Sequence, residues 1–245
     1  MMSTASEVRT DVSPSVLPEN VDGLQPAFVL DVNQSGVVLD PAFSNARAAM
    51  ETLHSSYTAL ADAESALDRA PDPSAAKRLR SGAESRLRSA MKTADAALAT
   101  IDARAREVEE GIENTLGIPL ARTSVTDSQR ASDVRFSLRL TREGDRFHVV
   151  RRAIEAGDTE AVAAVLSASP LASGISQEHF KQLRMLAELK FAGSLVQKRE
   201  SIGKLRTTLQ RAGELTRSRF APLLGDDGRE ARREASLRAL EGGAQ

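Results

Sequence analysis

The sequence predicts an all-α fold: an elongated helical bundle built on a long antiparallel coiled-coil-like hairpin and completed by a final long helix. Three observations carry this reading. Apolar residues recur at alternating three- and four-residue spacings over long stretches, the period that keeps one helix face against a partner. The pairs Asp40-Pro41 and Asp72-Pro73 open two such stretches, with Asp as N-cap and Pro at the first helical position, where its missing N–H is not needed. Hydrophobic residues make up 41% of the chain but aromatics only 3%, with no Trp, one Tyr and seven Phe. The apolar surface therefore rests on Ala, Leu and Val, which suit thin helix–helix seams.

Residues 1–39 are expected to form a flexible acidic arm. Residues 1–40 carry a net charge of −5, and Pro14, Pro18 and Pro26 interrupt a Ser- and Thr-rich stretch that buries too little surface to offset the entropy of ordering. Within it, Phe28-Val29-Leu30 and Val37-Val38-Leu39 flank Asn33-Gln34-Ser35-Gly36. An extended segment with a turn fits them, and apolar pieces of this kind dock on partners.

Residues 40–117 form the long hairpin. The first helix carries Phe43, Ala46, Met50, Leu53, Tyr57, Leu60 and Leu67, with Glu64 as a polar intrusion, and stops near Pro71-Asp72-Pro73. The second carries Leu87, Met91, Ala94, Leu98, Ile101, Ala105, Val108, Ile112 and Thr115. Leu79 and Ala83 sit one residue out of that register, which predicts a stutter. Helices of roughly 29 and 42 residues would be about 43 and 63 Å long at 1.5 Å per residue, and so short a turn folds them back antiparallel.

Residues 118–224 supply a helical corner and the long C-terminal helix. Gly117-Ile118-Pro119 ends the hairpin, and Thr126 with Gln129 resembles a capping box. Residues 134–140 alternate with a strand period, and Glu143-Gly144-Asp145 would turn them into a β-hairpin ending near Val150. Helix is the preferred reading because Phe147, Val150 and Ile154 keep helical spacing up to a C-capping Gly157. Asp158 caps a short helix with Val162, Val165 and Leu166 that ends before Pro170. Ser176 caps the last long helix, which carries Phe180, Leu183, Leu189, Leu195, Ile202, Leu205, Leu209 and Ala212. Gly193, Gly203 and Gly213 punctuate it, marking close helix contact or flexibility. Residues 225–245 are expected to be a flexible tail with a short charged helix at Arg229 to Leu240.

Ser132-Asp133-Val134-Arg135, Arg151-Arg152-Ala153-Ile154-Glu155-Ala156-Gly157-Asp158, Ala164-Val165-Leu166 and Ser169-Pro170-Leu171-Ala172-Ser173-Gly174 together resemble a segment of uncharacterised helical proteins of tailed bacteriophages and prophages. The resemblance covers less than a fifth of the chain and implies a phage context, with no catalytic residue. Ala156 to Val162 is also similar to the corner of an ankyrin repeat. No second copy follows one repeat length away, and repeat architectures need about three units to bury a core.

The chemistry-bearing residues do not assemble into a catalytic pattern. The chain has no Cys, and His54, His148 and His179 lie far apart, outside zinc-ligand spacings. Phosphate-binding glycine loops and a nucleophile elbow are missing too, so the sequence assigns no enzyme activity, cofactor or metal site. Glu109 and Glu113 share a helix face that reads as solvated. The whole chain is nearly balanced, with 33 basic and 34 acidic residues, but residues 176–220 carry a net +6. Lys198, Arg199, Lys204, Arg206, Arg211, Arg217 and Arg219 of the last helix are therefore the candidate partner-binding residues. The expected role is a non-enzymatic structural or assembly protein, such as a phage virion component or assembly factor, in a homo-oligomer or larger assembly. The alternatives are a nucleic-acid-associated accessory protein using the basic last helix and a helical peptide-binding adaptor. No apolar run reaches the ~20 residues that span a bilayer, so a cytoplasmic or virion location without a membrane partner is expected.

Overall fold

The computed structural model describes residues 14–33 and 36–224, and among these the fold is all-α apart from one small hairpin. Two compact units are formed, one by the described parts of Met1–Asp102 and Gly203–Gln245 and the other by Ala103–Ile202.

The first unit opens with 3-10 turns at Pro14–Val16 and Gln25–Phe28 around a short helix, α1 (Glu19–Asp22). Strands β1 (Val29–Asn33) and β2 (Gly36–Leu39) then pair antiparallel, and helix α2 (Pro41–Leu67) follows. Residues 14–33 and 36–39 thus form turns, a short helix and two strands where an arm was expected, while 1–13, 34–35 and the expected tail at 225–245 lie outside the described residues. Composition understated what this segment buries. Val16, Val21 and Phe28 are fully buried, Phe28 stacks on Phe43 with ring centroids 5.4 Å apart, and Arg47 holds Asp22 at 2.9 Å. The three prolines also restrict the unfolded chain, which lowers the entropy these contacts must offset.

Both Asp-Pro pairs start helices. The Asp40 carboxylate accepts from the Ala42 N–H at 3.1 Å, and Asp72 accepts from the Ala75 N–H at 2.8 Å to open α3 (Pro73–Thr115). Asn45 of α2 donates to Thr100 of α3 at 3.5 Å, and Ala63 shares a cleft with Leu79 and Ala83. These partners lie nearly equidistant from the turn at residue 72, so α2 and this part of α3 run antiparallel. Ala83, Leu87, Ala90, Ala94, Ala97 and Ile101 are all buried at alternating four- and three-residue spacings. Ala83 therefore joins the stripe without the expected stutter. Leu98 is only half-buried, and Ala97 takes its place because alanine admits closer approach of the neighbouring helices.

The last long helix, α9 (Gln177–Phe220), contributes to this unit from Gly203 onward. Leu205, Leu209, Ala212 and Phe220 are fully buried, and Phe220 meets Tyr57 edge-on at 4.9 Å. A β-carbon at Gly213 would lie 3.4 Å from the Met91 methyl, so this glycine marks close contact.

The second unit holds the remainder of α3 and α9 with five short helices: α4 (Ile118–Thr123), α5 (Val125–Leu140), α6 (Glu143–Ala156), α7 (Thr159–Leu166) and α8 (Pro170–Ser173). Residues 134–150 are helical, broken only where α5 gives way to α6. Ser124 caps α5, accepting from Asp127 N–H at 3.4 Å, in place of the expected Thr126, because the helix begins one residue before that threonine. Gly157, Asp158 and Ser176 take their expected capping roles. Val162 to Leu166 are buried in succession, so the last five residues of α7 are enclosed on every side and form the centre on which α4, α5, α6 and α8 pack.

Three arginines tie the corner to backbone carbonyls. Arg135 donates to Ala164 O at 2.7 Å and Arg122 to Ser167 O at 2.9 Å, satisfying acceptors that the end of α7 leaves open. Arg146 donates to Thr141 O, Arg139 O and Gly174 O at 2.7–3.1 Å. Within α9, Ala192 departs from helical geometry (φ −127°, ψ 29°), so the helix is broken next to Gly193.

Candidate functional site

The seven basic residues predicted to meet a partner are divided by the structure. Arg206 is paired with Asp102 at 2.8 Å, and Arg219 grips both oxygens of Glu64 at 2.9 and 2.6 Å. The hydrogen bonds and charge of Glu64, helped by Tyr57, hold the Arg219 guanidinium above its ordinary range. Arg199 belongs to a larger cluster, and Lys198 is half-buried and engaged. Arg217 is half-buried, while Lys204 and Arg211 are exposed without an ion pair among the described residues. The basic surplus of α9 is thus spent in large part on this chain's own acids.

The cluster around Arg199 lies within the second unit and was not legible in the sequence. Arg184 donates to Glu188 at 2.9 Å and to Glu109 at 3.1 Å, while Arg199 donates to the other oxygens of the same carboxylates at 2.6 and 3.1 Å. Two arginines and two glutamates alternate in a closed ring, with Glu113 3.6 Å from Arg184. Glu109 and Glu113, expected on a solvated face, are drawn into this cluster because α9 presents two guanidiniums to them. Glu188 is 5% exposed, and burial alone would raise its pKa. The bonds and charges of Arg199 and Arg184 outweigh burial and hold it below the ordinary carboxylate value.

Glu188 and Arg199 are eleven residues apart, about 16.5 Å along an unbroken helix, more than the two side chains span. The break at Ala192 brings them together. In the turn before the break, Leu189 of the expected seam is 55% exposed while its neighbour Glu188 is buried. Chemically the ring is a clamp: hydrogen bonds and charge hold the Glu188 carboxyl below its ordinary pKa and hold the Arg184 and Arg199 guanidiniums above theirs.

Two other clusters of exposed side chains stand out. On the hairpin, Val29, Leu30, Val37 and Val38 are 39–50% exposed. Val37 and Val38 are consecutive and point to opposite faces of the ribbon, so both faces are uncovered there. On α3, six basic residues and one acid lie between Lys77 and Lys92, and all six bases are exposed. This run escaped the sequence reading because the larger surplus at residues 176–220 masked it.

Two concave features are largely apolar. A cavity of about 360 Å³ among α5, α6 and α7 is lined by Val134, Leu138, Val149, Val150, Ala153 and Val165, with Asp133, Ser137 and Thr141 as its polar members. A cleft of about 600 Å³ between α2 and α3 is lined by Leu60, Ala63, Leu79 and Ala83, with Arg78 and Arg86 beside them. Among the described residues no group of three or more His, Cys, Asp or Glu is poised to hold a metal ion, and no helix is long and apolar enough to cross a membrane. Compared with known proteins, the chain matches no family model, no curated protein and no solved structure.

Proposed function

We propose that this chain is a non-enzymatic structural or assembly protein that works by associating with further protein chains, first of all copies of itself. The observation that carries the reading is the β1–β2 hairpin. It is a ribbon of two strands whose outer edges have no partner among the described residues, and it exposes Val29, Leu30, Val37 and Val38. Unpaired edges with apolar β-branched residues are templates for strand addition, and an isolated two-stranded ribbon is marginal in water. Pairing with the hairpin of a second copy satisfies the edge and covers the valines. The resemblance of the Ser132 to Gly174 corner to tailed-phage proteins favours a virion component or assembly factor within this class.

Light scattering on the full chain over a hundredfold concentration range tests the reading. A defined oligomer is expected, and Val37→Lys with Val38→Lys is expected to lower its mass because charged edge residues oppose pairing. A monomer throughout, or an oligomer of unchanged mass in the variant, would refute it.

A further inference from the structure

We infer that the exposed face of α3 between Lys77 and Lys92 binds the phosphate backbone of double-stranded nucleic acid without reading its sequence. The inference is independent of the assembly reading, which rests on the hairpin. Helical periodicity places Lys77, Ser81, Ser85, Arg88 and Lys92 along one stripe, with Arg78 and Ser89 on its flank. All seven are exposed. The opposite side of the helix is occupied by Ala83, Leu87, Ala90 and Ala94, which are buried in the first unit. The stripe is therefore held rigidly outward by the core. It extends over about 22 Å, and the one acid on this face is Glu84, seven residues after Lys77. Glu84 is paired with Arg88, while Lys77, Arg78 and Lys92 have no ion pair among the described residues.

The residue types select the partner. Lysine, arginine and serine all donate to phosphate oxygens, and together they supply positioning contacts without base-specific geometry. The stripe has no aromatic residue on which an unpaired base would stack, so a duplex suits it better than a single strand. The apolar residues of α3 beside the stripe, Leu79 and Ala83, line a concave cleft against α2, which leaves no projecting apolar face to insert into a bilayer interface. The basic residues of α9 are not equivalent: Arg199, Arg206 and Arg219 are bound to Glu109 and Glu188, to Asp102 and to Glu64.

Fluorescence anisotropy of a labelled mixed-sequence DNA duplex with the full chain tests this. Three unpaired cations on phosphates imply a log–log salt slope of roughly −2.7 and an affinity loss of about 40-fold between about 50 and 200 mM salt. Replacing Lys77, Arg78 and Lys92 by Gln should weaken binding more than tenfold at the lower salt and reduce the slope by about 2.7. It should leave the thermal transition in place, since all three side chains are exposed. Lys204→Gln with Arg211→Gln, two exposed cations of α9, should bind as the parent does. The inference is overturned if the parent shows no salt-sensitive binding, if the triple variant binds equally well, or if the α9 variant loses binding instead. Equal or tighter binding to phosphatidylserine-containing vesicles or to polyglutamate at the same salt also overturns it.

Discussion

Glu188 and Leu189 are neighbours whose roles the fold exchanges, and replacing each in turn measures that exchange. The Glu188 carboxylate is 7% exposed and accepts one bond from each of two guanidiniums. Hydrogen bonds to charged groups contribute about 1.5–3 kcal/mol each. Arg184 and Arg199 are themselves 32% and 37% exposed and retain Glu109, so water and the remaining carboxylate recover part of the loss. For Glu188→Gln this leaves a net cost of about 2 kcal/mol, or a fall in Tm of about 4–8 °C for a chain of this size. Leu189→Ala removes a side chain that is 55% exposed and should cost less than about 0.5 kcal/mol.

Thermal unfolding followed by circular dichroism reads both. pH supplies a further check on the same pair. Because the folded pKa of Glu188 lies below its ordinary value, its contribution is present in full above the unfolded carboxylate pKa and is lost as pH falls through the folded one. The gap in Tm between the parent and Glu188→Gln should therefore close below about pH 4. A larger effect from Leu189→Ala than from Glu188→Gln would refute the ring and restore the seam read from periodicity. A gap that persists unchanged in strong acid would show that the carboxylate's charge is not what stabilises.

Ile101 is fully buried whereas Leu98 is half-buried, so in urea titrations Ile101→Ala should cost about 2–5 kcal/mol and Leu98→Ala distinctly less. Gly174 has φ +65°, and a β-carbon there would lie 2.5 Å from an Arg146 guanidinium nitrogen. Gly174→Ala should therefore strain the backbone by about 1–2 kcal/mol and disturb the three-carbonyl grip of Arg146, lowering Tm. Phe28→Ala removes the stacking partner of Phe43 and should make the chain around residues 14–39 sensitive to brief proteolysis while α2 and α3 resist, as cleavage mapping by mass spectrometry would show.

Much of the helical framework follows from local chemistry. Asp40, Asp72, Asp158 and Ser176 cap the helices they were expected to cap, because an N-cap depends on a side-chain oxygen two or three residues from an open N–H. Gly117 and Gly157 end helices in the left-handed region, which only local backbone sterics decide. The choice of helix over hairpin at residues 134–150 was also legible, since apolar spacing extended through Ile154. Burial inside the bundle was legible only to within a residue. A four-three pattern passes equally through Met91 and Leu98 or through Ala90 and Ala97; Ala90, Met91 and Ala97 are buried and Leu98 is half-buried, a division set by how closely the neighbouring helices approach.

Charge was the least legible property. Sequence alone determined that the chain is built of capped, Ala- and Leu-rich helices, that its apolar period suits helix packing, and that it carries a basic surplus near its C-terminus. Each of these depends on residues a few positions apart. Tertiary structure decided which charges remain available. Arg199 reaches Glu109 ninety residues away and Arg219 reaches Glu64 at a separation of 155, so the basic helix singled out by its composition is largely neutralised. The α3 stripe at Lys77 to Lys92, less prominent by count, keeps its charge facing water. The buried segment at residues 14–28 follows the same logic: Val16, Val21 and Phe28 are too sparse to predict a core by themselves, and become one only because α2 supplies the other half of the contact.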